Sequence, residues 1–180
     1  MSAPSLAERY SIISKDAFKA KRLLATLRSH HIKFGVLLSK RSKIEAWEKS
    51  LKLSQMTLDK TFKEASEDQQ NVKNAKLSQD DFNLKWKATG RIDKTRQILV
   101  KFQSEIIHYN KFRLSYNTLA NELKGFLHNR SKTEDLTDLM YKMQKLMLAL
   151  ELAFKNQQYD KAVLLVSKSD IAKEFGYKKK

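Results

Sequence analysis

An enzyme needs a nucleophile or base held in place by a partner group, and the side chains that supply one are sparse in this sequence. The four histidines, His30, His31, His108 and His128, have neither His-x-x-x-His nor His-Glu-x-x-His spacing, so no two of them sit one turn apart as helix-borne metal ligands do. There is no cysteine, which excludes disulfides, thiolate ligands and thiol nucleophiles. Lys124-Gly125 lacks the preceding glycine of a phosphate-binding loop. The acidic pairs Asp80-Asp81 and Glu134-Asp135 fall where helices are expected to begin, and capping accounts for them. The reading is a binding protein and not an enzyme, with no metal, no cofactor and no small-molecule substrate.

The basic residues carry more information. Lysine and arginine number 36 against 20 acids, a net charge of +16 that repels itself unless a polyanion offsets it. Residues 1–60 hold 13 basic and 5 acidic side chains, so the first third carries half of the excess. At 100° per residue, Lys15, Lys19, Arg22, Lys33 and Lys40 fall within about 60° of one another and away from the apolar face. Arg41 and Lys43 extend this set in the cluster Lys40-Arg-Ser-Lys43. These seven are the candidate polyanion-binding residues, and the terminal Tyr177-Lys-Lys-Lys180 is a second short basic cluster; each cluster suits either phosphate contact or a weak nuclear-import signal. Lysine outnumbers arginine, and a point charge suits phosphates or lipid headgroups better than base edges, so sequence-specific DNA reading is not expected. Aromatic rings lie near basic residues at Tyr10, Phe18, Phe34 and in Tyr109-Asn-Lys-Phe-Arg113, mostly on or beside apolar stripes where core packing is their expected role.

The elements that must carry these residues are helices. Four glycines and a single proline, Pro4, leave little to turn the backbone tightly, and 41% hydrophobic with 31% charged residues is enough apolar material for a packed seam. A helix starting at Pro4, capped by Ser2 or Ala3, is expected, with an apolar face of Ile13, Ala17, Ala20, Leu23, Leu24, Leu27, Phe34 and Leu38. A seven-residue repeat then runs Leu37, Ile44, Leu51, Leu58, Ala65 and Val72, supported by Trp47, Phe62 and Ala75 and interrupted by Lys40, Ser54, Thr61 and Asp68. Gly35 is a candidate kink between the two patterns. The polar stretch 64–78 reads as the reversal, and Ser78 with Asp81 reads as a capping box that opens a second helix near Gln79, with Gly90 a local break. Phe102, Ile106, Tyr109, Tyr116, Ala120, Leu123 and Leu127 form its stripe. Thr133 opens a third helix with stripe Leu136, Met140, Met143, Met147, Leu150 and Phe154, and a shorter amphipathic segment runs from Ala162 to Phe175. The expected fold is all-α: an elongated helical bundle or coiled coil of two long antiparallel helices, 1–63 and 79–128, plus a C-terminal helix or helical hairpin, 133–155 and 160–175, in a single domain 1–180.

Long helices in a short chain leave apolar seams, which points to a homodimer or a partner helical subunit. Leu37, Ile44, Leu51 and Leu58, with Met140, Met143, Met147 and Leu150, are the candidate seam. The expected function is a scaffold or adaptor that self-associates or joins an assembly and holds a polyanion, foremost nucleic-acid backbone, on its lysine-rich face. In outline, long antiparallel helices with basic faces resemble the crescent-shaped BAR domains, which would instead make that face a dock for anionic membrane; no BAR motif matches residue by residue. A coiled-coil subunit of a transport, tethering or secretion complex is the third expectation. The N-terminus lacks the apolar core of a secretory signal and no run spans a bilayer, so an intracellular location, soluble or peripheral, is expected.

Overall fold

The computed structural model describes residues 5–74, 78, 80, 81, 84 and 91–178, and among them all regular structure is helical. Helix α1 runs Leu6–Asn74, α2 Arg91–Glu122, α3 is the single turn Lys124–Leu127, α4 runs Thr133–Lys155, α5 Tyr159–Ser167 and α6 Asp170–Glu174. The chain divides into two compact units, residues 1–38 with 119–180 and residues 39–118, so α1 contributes to both.

Local chemistry sets most of the boundaries. The expected start at Pro4 lies outside the described residues; the described helix opens one turn later on a reciprocal box. There the Ser5 N–H donates to Glu8 Oε2 (2.6 Å) and the Glu8 N–H to Ser5 Oγ (3.3 Å). The bond from the Ser5 backbone, and then that from its hydroxyl, holds the Glu8 carboxyl below the usual carboxylate range. Gly35 breaks nothing: α1 passes through it, since one glycine costs a helix only about 1 kcal/mol. The helix also continues past the expected end at residue 63 to Asn74. Polarity alone is no stop signal, and with no glycine or proline between 64 and 74 the Glu, Gln, Lys and Ala there are good helix formers. At the expected Ser78–Asp81 box the serine's half forms, the Asp81 N–H donating to Ser78 Oγ (3.2 Å), while the Asp81 carboxylate accepts from the Ser78 hydroxyl (2.7 Å). Gln79 and Gly90 lie outside the described residues.

The first unit has a multi-helix core. From α1 come Ala17, Ala20, Leu23, Leu24, Leu27, Phe34 and Leu37, and from α4 Leu136, Leu139, Met143, Leu146, Leu150 and Ala153, all buried. The α4 stripe keeps Leu136, Met143 and Leu150 from the expected set but alternates with Leu139, Leu146 and Ala153. Met140, Met147 and Phe154 are half-buried flanks, because a 3-4 alternation started at Leu136 can step by three or by four and the sequence is apolar at both. The expected segment 160–175 is two helices, since the Ser169 hydroxyl accepts the Ala172 N–H (3.3 Å) and starts α6 afresh. Arg28 bonds Glu151 through Nε (3.0 Å) and Nη2 (2.9 Å), Lys33 bonds Glu122, and Arg130 grips Glu174. Such partly exposed pairs contribute about 0–1 kcal/mol each, so they orient the helices while the apolar core holds them.

In the second unit, residues 39–74 of α1 lie along residues 91–118 of α2. Lys40 meets Phe112 and Ser115, Arg41 meets Tyr116, Trp47 packs on Tyr109 and Phe112, Glu48 accepts from Tyr109 and Arg113, and Ser54 donates to Glu105. Partner numbers fall along α2 as they rise along α1, the order of an antiparallel pair. Loss of water, then the hydrogen bond to Glu48, pushes the Tyr109 phenol above its ordinary value.

Helix α4 ends on a left-handed residue. Gln157 has φ 56°, its N–H donates to the Phe154 carbonyl (3.1 Å) and the Gln158 N–H reaches Ala153 (2.8 Å), the two bonds of a Schellman turn normally built on glycine. Replacing Gln157 with glycine removes a Cβ penalty of about 1 kcal/mol and raises the thermal midpoint by roughly 2–4 °C, read by circular dichroism. A lowered midpoint would contradict this account of the turn.

Candidate polyanion-binding site

The end of α6 builds the site. Gly176 takes φ +87°, its N–H donates to the Lys173 carbonyl (3.1 Å) and the Tyr177 N–H donates to Ala172 (2.9 Å), a second Schellman turn. The reversal returns two aromatic rings to the body of the first unit. Phe175 stacks on Phe126 (4.6 Å between centroids, 19° between planes) and meets the edge of His30 (5.2 Å), while Phe126 stands edge-on to Phe34 (5.8 Å). His30 Nδ1 lies 2.9 Å from the Thr26 carbonyl oxygen, which can only accept, so Nδ1 carries the proton. Tyr177 is 9% exposed, and burial, then the nearby Asp16 carboxylate, pushes its phenol above the ordinary value.

A cleft of about 510 Å³ results, lined by Lys19, Arg22, Leu23, Thr26 and the segment Phe175–Lys178. Its floor is apolar (Leu23, Phe175, Tyr177) and its rim is basic (Lys19, Arg22, Lys178). Among the described residues Lys19 pairs with Asp16, at 3.8 Å, and the Thr26 hydroxyl is turned to the Arg22 carbonyl (3.1 Å). Lys15 and Arg22 are exposed, with no side-chain hydrogen bond or ion pair among the described residues. A concave site with three cations, an apolar floor and one competing carboxylate suits an anion with a flat or apolar part.

The other candidates on the basic stripe are placed differently. Lys33 is bonded to Glu122 in the first unit; in the second, Lys40 lies over Phe112 (5.1 Å) and donates to Ser115 Oγ (2.7 Å), and Arg41 Nε donates to the Tyr116 hydroxyl (3.2 Å). Lys43 is exposed on the second unit. Helix geometry explains the division. The centre of the apolar face lies about 140° from the basic stripe over residues 17–34 and swings to within about 40° of it at Leu37 and Ile44. Basic residues beyond Lys33 therefore flank a buried seam.

Of the seam candidates, Leu37, Ile44, Leu58, Met143 and Leu150 are buried within this one chain, and Leu51, Met140 and Met147 are half-buried. The part of the site that spacing on α1 did not disclose is Phe175, Tyr177 and the position of Lys178 beside Arg22. The available signal was Gly176 followed by an apolar residue just after a short capped helix, the pattern of a Schellman turn. Lys179 and Lys180 lie outside the described residues.

Among the described residues no cluster of His, Asp or Glu is placed to hold a metal ion, and no helix is long and apolar enough to cross a membrane. No family model, curated protein or solved structure matches the chain. Function therefore rests on the site itself.

Nothing lies within 4 Å of a Cβ built on Gly176, so its substitution is strained by φ and not by space. Gly176→Ala is expected to lower stability by about 1–2 kcal/mol and to speed hydrogen exchange at the Tyr177 amide. Unchanged exchange there would show that the turn does not hold the tail.

Proposed function

We propose that the protein is a non-catalytic helical scaffold that holds a polyanion, foremost the phosphate backbone of single-stranded nucleic acid, on the basic face of its first unit. The observation that carries this reading is the gathering of Lys19, Arg22 and Lys178 around one aromatic-floored cleft, with exposed Lys15 a turn away along α1. Lysines contact phosphates as point charges, and the half-buried Phe175 ring offers bases an apolar surface within the cleft. A cleft with an aromatic lining gives a base a place beside the phosphate contacts, which favours nucleic acid over an anionic membrane. The α1–α2 pair of the second unit is, in this reading, the coiled-coil part of the scaffold.

The test is titration of labelled single-stranded RNA, duplex DNA and anionic liposomes at about 50 and 200 mM salt. With three or four phosphate contacts, RNA binding is expected to weaken roughly 20- to 50-fold across that range. Combined charge reversal at Lys15, Lys19 and Arg22 is expected to weaken it at least tenfold with the thermal midpoint preserved. Unchanged affinity in that variant would sink the proposal. Binding to liposomes alone would replace it with a membrane-surface role, and binding to no polyanion would favour an assembly subunit whose charge serves solubility.

A further inference from the structure

We infer that the exposed ring of Phe18 is a second stacking surface for the strand held at the cleft, so that the site takes two neighbouring nucleotides and favours single-stranded over duplex RNA. The inference rests on the reading of the cleft as a single-strand site and adds to it a residue outside the cleft.

Phe18 is 62% exposed. At 100° per residue it lies about 160° from the centre of the buried face that runs from Ala17 to Phe34 on α1, so the core role expected of it from the sequence is not the one it has. Its neighbours one turn away on the helix surface are Ser14, Lys15, Lys21 and Arg22, all exposed. Lys15, Lys21 and Arg22 have no side-chain hydrogen bond or ion pair among the described residues.

These neighbours decide what the ring meets. The core of a protein–protein contact is depleted of lysine and serine, which supply all but one of them. A helix lying on a membrane presents a row of apolar side chains. Here the other positions on this side from 14 to 25 are Ser14, Lys15, Lys21, Arg22 and Ala25, and the next large apolar side chain, Ile32, comes about four turns beyond Phe18. An aromatic ring set among cations is the arrangement by which single strands are held, the ring against a base and the cations on the flanking phosphates.

The ring also lies beside the cleft. Going round α1 from Phe18, Arg22 comes at about 40°, Thr26 at about 80° and Leu23 at about 140°, and all three line the cleft. Arg22 is therefore the rim on the side of Phe18, one turn from the ring. A phosphate on Arg22 leaves one base directed into the cleft, beside Phe175, and its neighbour over Phe18. A duplex keeps its bases paired and stacked on one another and has none to offer the ring.

The full chain is titrated with oligouridylate about ten nucleotides long, with the same strand in a duplex, with anionic liposomes and with inorganic polyphosphate, a polyanion without bases. Phe18→Ala is expected to weaken single-strand binding roughly 5- to 100-fold, the usual contribution of one stacked base, and to leave its salt dependence unchanged because no phosphate contact is lost. Phe18→Trp should preserve binding, and Phe18→Ala should leave duplex and polyphosphate binding and the thermal midpoint as they were. If charge reversal at Lys15, Lys19 and Arg22 weakens RNA binding and Phe18→Ala does not, the inference falls and the reading of the cleft stands. No RNA binding by the unaltered chain would overturn both. Equal losses on single strand, duplex and polyphosphate, or loss of liposome binding alone, would give the ring a structural or a lipid-binding role and overturn the inference.

Discussion

The apolar face of α1 changes its period along the helix, and the two units follow from that change. From Ala17 to Phe34 it is broad and buried in a core of several helices; from Leu37 it narrows to a seven-residue seam that seats α2. Leu27, Phe34 and Leu37 are fully buried, and each such side chain contributes about 1.5–3 kcal/mol on removal from water. The surrounding pairs, Arg28–Glu151, Lys33–Glu122 and Arg113–Glu48, are half-exposed and contribute less. Packing of α1 decides the fold, and the charges adapt to where it places them.

That adaptation explains why one stripe of basic residues has two fates. Where the apolar face lies opposite, Lys15, Lys19 and Arg22 are left toward solvent. Where the face swings beneath the stripe, Lys40 and Arg41 become flanking residues that bond Ser115 and Tyr116, while Lys33, still opposite the face, bonds Glu122. The Schellman turn at Gly176 then sets Lys178 on the cleft that Arg22 and Lys19 line, adding like charge to like. Such a gathering is unfavourable until an anion relieves it, and cations at a concave, partly apolar surface act more strongly than the same cations scattered in water.

Much of this was legible along the chain. Thr133–Lys155 has the expected bounds because acids in its first turn and an apolar stripe agree. The bond of the Asp81 N–H to Ser78 Oγ forms because it needs only residues three apart. The all-α class follows from the scarcity of glycine and proline. Less legible were features in which local signals compete: Gly35 looks like a break, and 64–74 looks like a turn, yet neither opposes a helix strongly enough to end it. Least legible was the tail. Phe175 finds Phe126 and His30 across large separations in sequence, and no local period announces a contact of that kind. The basic stripe was visible as a pattern on one helix, but its division depended on the drift of a seam whose neighbour was still to be placed.

The most direct measurement is a nuclear magnetic resonance titration of the full chain with a short single-stranded RNA, following backbone amides and the lysine and arginine side chains. The account predicts shifts concentrated at residues 15–26 and 175–178, with Lys33, Lys40 and Arg41 little changed because their partners are internal. Shifts centred on the second unit, spread evenly over every lysine, or absent altogether would contradict it.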